Sequence, residues 1–295
     1  MKRAFLYFIL INVAWICLAC NNVKAMVKQN DDCYQNNRGV CLSEGELNKL
    51  KTFFDISVID NFTQEETQKF LNSNLVATQT KYIKSVYQGE KVISNTEVTK
   101  EEFDNATESQ KVCNEQTRGD DVGYFETSYK SLTSSIFQIG NKYSFAITLL
   151  WKIVPVTRSF DVIAFRTRHL SYSNVSGAQI YYIAGSSTII NYNTNSAGYK
   201  GLSNGAGISM NLKDDTNITS FSNLILAEMQ ISEYNYSTAH VFTTYQHATS
   251  SLTRDQSKSY TLQAGGLGDV LYYSNTNIRN KYDDMTGIEL MVPIP

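Results

Sequence analysis

From about Tyr124 onward, hydrophobic and polar residues alternate along the chain. Tyr143, Phe145, Ile147, Leu149 and Trp151 fall on one side of a strand, with Ser144, Ala146, Thr148, Leu150 and Lys152 on the other. That is the period of a half-buried β-strand. Its expected partner runs over 129–139 and turns through Gly140-Asn141. Strands are likewise predicted at 160–168, 178–184, 188–192, 207–212, 223–233, 239–247, 258–262, 270–274 and 287–294, with Gly185-Ser186-Ser187 joining the second and third. Many short strands, turn punctuation and no long helix predict a mainly β fold, an antiparallel β-sandwich or barrel-like domain over 124–295.

Before that point the pattern is that of a small α/β segment, 26–123. Ser43-x-x-Glu46 is a capping box ahead of Leu47, Leu50, Phe53 and Phe54, which share one helix face. Thr63-x-x-Glu66 and Thr99-x-x-Glu102 repeat the signature before Phe70 and Phe103. Residues 81–93 read as a hairpin turning at Gln88-Gly89, and 104–121, poor in apolar residues, read as a linker.

The first residues follow a third pattern. Lys2 and Arg3 precede an apolar run, Ala4 to Ala19, interrupted by Asn12, and a short polar stretch leads to Ala25. Positive charge, apolar core and small residue in that order make 1–25 a signal peptide, so the chain is expected to be secreted, with cleavage before Met26. A second reading lipidates Cys20 after Leu18-Ala19, although Cys17 stands where a lipobox prefers leucine. As an uncleaved anchor the run would span only about 24 Å of a hydrocarbon core about 30 Å thick.

Charge and cysteines narrow the function classes. Net charge is −2, with 17 acidic and 11 basic side chains over 26–125 against 11 and 12 over 126–295. The acidic first third and the absence of a basic surplus argue against nucleic-acid binding. Three cysteines follow the leader, Cys33, Cys41 and Cys113. Cys33 and Cys41 flank a stretch able to reverse tightly, so they either form a local disulfide or remain, with Cys113, free thiols. No cysteine spacing suits zinc, and no cofactor is expected.

Candidate chemistry is sparse. His240 and His247 lie on opposite faces of one predicted strand, and no nucleophile motif accompanies them or His169. Asp120-Asp121, Asp214-Asp215 and Asp283-Asp284 read as solvated turn residues, as does the Asn193-x-Asn195-x-x-Gly198 loop. Gly265-Gly266-Leu267-Gly268 precedes a predicted strand and reads as a turn, since a phosphate cradle needs a helix there. The 19 tyrosines are the feature with functional potential. Crowded among Asn, Ser and Thr, rings such as Tyr181, Tyr192, Tyr245 and Tyr272 would stack on a glycan or anchor at a membrane interface if exposed. Otherwise they simply suit half-buried strands. Sequons at Asn61, Asn105, Asn174, Asn217 and Asn235 would matter in a eukaryotic secretory route.

Trp151-Lys152 with 155–161 (PVTRSFD), 203–211 (SNGAGISMN), Tyr245-Gln-His-Ala, Ser257-Lys-Ser-Tyr and Tyr282-Asp-Asp-Met resemble a set of uncharacterised exported bacterial proteins over about half of the chain. The resemblance implies an exported β-rich protein and carries no activity or functional residue. The expected function is therefore non-enzymatic binding at a cell envelope or to a glycan through a Tyr-rich surface. The alternative is a membrane-active pore-forming protein whose strands 127–138 and 234–246 are long enough to span a bilayer. A hydrolase without a recognisable motif is the third reading. Nothing in the pattern sets an oligomeric state.

Overall fold

The period-two pattern becomes two antiparallel sheets facing one another. The computed structural model describes residues 33–107, 112–116, 122–183, 186–212, 217–263, 270–283 and 287–295. Within them the larger sheet has eight strands. In spatial order these run β10 (Ser186–Asn193), β9 (Leu170–Ile183), β13 (Ile218–Ile231), β7 (Lys142–Ile153), β6 (Val122–Ile139), β3 (Asn74–Gln88) and β4 (Lys91–Val98), with β5 (Val112–Gln116) also paired to β6. The smaller sheet orders β11 (Tyr199–Leu202), β12 (Gly205–Asn211), β8 (Phe160–Arg168), β14 (Thr238–Gln246) and β17 (Ile288–Pro293). Two-residue pairs complete the sheets: β1 (Tyr34–Gln35) with β2 (Cys41–Leu42), and β15 (Thr261–Leu262) with β16 (Leu271–Tyr272). The fold is a β-sandwich, and the sheets of the described residues do not close into a barrel.

The face predicted for 143–151 is the core. Tyr143, Phe145, Ile147, Leu149 and Trp151 meet Ile163, Phe165, Ile208, Val241 and Leu290 from the facing sheet. Register follows the turns: Ile139 opposite Lys142 closes the hairpin at Gly140, whose φ of +61° favours glycine. Gly89, at +58°, turns β3 into β4 where the sequence placed the hairpin.

Two caps cover the outer face of the large sheet. Helices α1 (Glu44–Lys51), α2 (Ile56–Ile59) and α3 (Gln64–Leu71) form the first, α1 and α3 opening on the expected capping boxes. They bring Phe54 to ring-centroid distances of 4.9 Å from Phe62, 4.7 Å from Phe70 and 5.7 Å from Phe137 of β6. A disulfide joins Cys33 to Cys41, with Cα atoms 5.7 Å apart, and closes the hairpin that begins this cap. The second cap is α4 (Lys100–Asn105), where Thr99 accepts from the Glu102 N–H and Phe103 packs with Tyr129 and Ile153.

The small sheet is covered on its outside by 248–282, whose Tyr260, Tyr273 and Tyr282 pack on Val162 and Ala164. The short helices α5 (Arg254–Ser257) and α6 (Thr276–Arg279) lie in this segment.

Three expectations are corrected. The 104–121 stretch is not all linker, because 112–116 forms β5 on β6. The strands expected at 258–262 and 270–274 shrink to the β15–β16 pair, since this segment is held by its side chains more than by a ladder. The division expected at 123/124 runs through one sheet, as β3 and β4 are continuous with β6 and β7.

Candidate functional site

Between the two caps the outer sheet face stays open. Strands β3, β6 and β7 turn Thr78, Thr80, Ser131, Thr133 and Thr148 outward there. The floor is thus a bed of hydroxyls, paired across strands as Thr80 with Thr133 (2.9 Å) and Thr78 with Ser135 (2.8 Å). Phe53 and Phe54, from the turn after α1, wall one side, and Tyr82 and Phe103 wall the other, their rings 5.0 Å apart. The enclosed volume is about 460 Å³, within the range of small-molecule clefts. Lys51, Asp55, Lys100 and Asp104 also line it, so its charges balance. Burial, with the nearby Asp104, pushes the Tyr82 phenol up, against the opposing pull of Lys100. The hydroxyl therefore stays protonated and able to donate at neutral pH. No histidine or cysteine lines the groove.

A second constellation lies between the sheets. Lys130 of β6 forms an ion pair with Asp283, both side chains fully buried. Asp283 also accepts from the Tyr87 hydroxyl of β3 (3.0 Å) and the His247 N–H (2.9 Å). The His247 imidazole donates through Nδ1 to Asp161 (3.1 Å), which accepts also from the Ala248 N–H (2.9 Å) and the Tyr245 hydroxyl. Trp151 Nε1 donates to Tyr245 (2.8 Å), and the Lys130 ammonium stands 4.9 Å from the Trp151 ring centre. Burial alone would raise the Asp283 carboxyl; Lys130, His247 and their hydrogen bonds outweigh it and hold it below the ordinary carboxylate range. Burial and the adjacent carboxylates push the Tyr87 and Tyr245 phenols well above their ordinary value. With each of these side chains at most 3% exposed, no ligand reaches them. The network is a clamp joining β3, β6 and β7 to β8, β14 and the 248–283 segment.

The tyrosines singled out in the sequence are not brought together. Tyr181 and Tyr245 are core residues, Tyr192 is half-buried against the core, and Tyr272 alone of the four is exposed. Asp283, read as a solvated turn residue, is instead buried at the centre of the clamp, because Lys130 and Tyr87 reach it from the opposite sheet. Asp120, Asp121, Asp214, Asp215, Asp284 and 265–268 lie outside the described residues. The Asn193 loop is an Asx turn, its side chain accepting from the Asn195 N–H at 2.9 Å. His169 and His240 bond Glu233 (3.0 Å) and Glu289 (2.7 Å), and no metal-holding group exists among the described residues. No described helix is long and apolar enough to cross a membrane. The residues the sequence reading missed are Thr80, Tyr82, Phe103 and Thr133. Alternation marks Thr80, Tyr82 and Thr133 as outward-facing and the Thr99 cap puts Phe103 on a helix, but neither signal shows the gap between them.

No family model matches the chain, and no curated protein does. Solved structures show distant likeness, three of them as follows. One contains manganese lipoxygenase of Gaeumannomyces graminis and part of zonadhesin of Komagataella pastoris: 6% identity, 75% of this chain, 84% of that chain, TM-score 0.28. Another is TmCBM61 in complex with β-1,4-galactotriose, at 14%, 36%, 62% and 0.19. A pore-forming protein gives 11%, 59%, 83% and 0.23. At these values the likenesses carry no argument about what this chain does.

Proposed function

We propose that this chain is a secreted, non-enzymatic binding protein that holds a neutral glycan in the groove between its two outer caps. The groove's chemistry carries the reading. Its floor of Ser and Thr hydroxyls suits a ligand dense in donors and acceptors, and Phe53 and Tyr82 offer apolar ring surface for stacking. Its balanced charges favour an uncharged ligand. The leader at 1–25 supports secretion. The contact surface is this groove rather than a field of exposed tyrosines.

Of the strands considered for membrane insertion, 127–138 lies in β6 and 238–246 forms β14, each paired on both sides within its sheet. Moving them into a bilayer would dismantle both layers, so binding is the better-supported activity.

A glycan array probed with residues 26–295 should show signal on neutral oligosaccharides. Tyr82→Ala and Thr133→Leu should remove it with the melting temperature within a few degrees of the parent. A parent chain with no signal above background, or variants that bind as well as the parent, would overturn the reading.

A further inference from the structure

We infer that a second copy of this chain pairs with strand β10, joining two large sheets through one edge. The argument rests on how the sheet edges are protected. An edge strand presents unpaired backbone donors and acceptors, and natural sheets blunt such edges with charge, proline or shortness. Among the described edges, β4 carries Lys91 and Glu97, β5 is five residues long, β11 is four residues long with Lys200, and β17 carries Glu289 and Pro293. Strand β10, with the sequence SSTIINYN, has eight residues, no charge and no proline, and among the described residues is paired to β9 alone. It lies inside a run, 170–199, without a single Asp, Glu, Lys, Arg or His.

Its sequence suits its own copy. A twofold axis perpendicular to the sheet keeps each residue on its own face, so residues of like parity must face each other. Centring the axis on Ile190 pairs the whole of 187–193. Ile190 meets its symmetry mate, Thr188 meets Tyr192, Ile189 meets Asn191, and Ser187 meets Asn193. Every pair is uncharged, so no like-charge contact opposes the association. Ile190 is the exposed apolar residue of the strand, at 39%. Pairing would cover it, while Tyr192 already rests against the core. An interface of one strand pair falls at the small end of specific interfaces, so the dimer should form in a concentration-dependent way.

Sedimentation equilibrium of residues 26–295 between about 1 and 100 μM should show a monomer–dimer equilibrium over this usual range of weak association. Ile190→Lys should give a monomer throughout, with unchanged far-UV circular dichroism and melting temperature. Ile190→Cys, oxidised at high concentration, should give a disulfide-linked dimer, and Lys91→Cys on the opposite edge should not. A parent chain that stays monomeric, an Ile190→Lys variant that still dimerises, or equal cross-linking from both cysteine variants would overturn the proposal. The result is independent of glycan binding, because β10 is not part of the groove between the caps.

Discussion

Lys130 is the residue on which most depends. Its ammonium is fully buried, and Asp283 is its carboxylate partner. Replacing one member of such a pair leaves an uncompensated buried charge, so Lys130→Met should cost about 3–5 kcal/mol in urea denaturation. Adding Asp283→Leu should recover much of that loss; a double variant no more stable than the single one would contradict the pairing. The same carboxyl sets the acid limit. Lys130 and His247 hold it below the ordinary carboxylate range, so its stabilisation is present above that range and fades as pH falls through the folded value. Asp283→Asn should flatten the stability curve in that acidic window. None of this was legible from Asp283 itself. Beside Asp284 it has the local pattern of a turn, and its partner lies 153 positions away.

At the scale of elements, legibility followed locality. Strands β6, β7 and β8 and the capping boxes of α1 and α3 were readable because alternation and caps are properties of neighbouring residues. The strands expected at 258–262 and 270–274 reduce to two-residue pairs because their tyrosines are held by tertiary contacts; the Tyr273 hydroxyl, for example, bonds the Ser257 carbonyl at 2.9 Å. The groove was not readable, since it is a gap between elements distant in sequence. The hairpin that starts the first cap is a small unit with its own energetics. Reducing its Cys33–Cys41 disulfide should lower stability by about 2.5 kcal/mol on the chain-entropy view of so short a loop. That loss is measurable by denaturation with and without reductant. Between the sheets, Gly177 tolerates little: an added Cβ would lie 2.6 Å from Ile208 Cδ1 and 2.9 Å from the Leu224 carbonyl oxygen. Gly177→Ala should therefore lower stability by about 1–3 kcal/mol, as overpacking does.

For the whole molecule, the tyrosines matter in sum. Tyr87, Tyr245, Tyr260, Tyr273 and Tyr282 are buried between or beneath the sheets, and burial pushes each phenol above the ordinary tyrosine value of about 10. Their stabilisation is fully present below pH 10 and is lost as pH rises through the higher folded values. Alkaline titration should therefore show these phenols ionising together with loss of near-UV circular dichroism. The mainly β class was legible because it needs only the count and spacing of strands. Which strands share a sheet was not, because β3 and β4 lie in the N-terminal third, whose overall composition is acidic, yet extend the sheet of the neutral remainder.

The clamp also sets an order of events at birth. At about 5–20 residues per second of synthesis, Lys130 waits about 8 to 30 s for Asp283 to be made. Until then its ammonium has no carboxylate to enter the interior with, and the two sheets cannot close over it. The two sheets are thereby kept apart until Asp283 has emerged. A ribosome stalled before Asp283 should display a nascent chain that proteases cut freely.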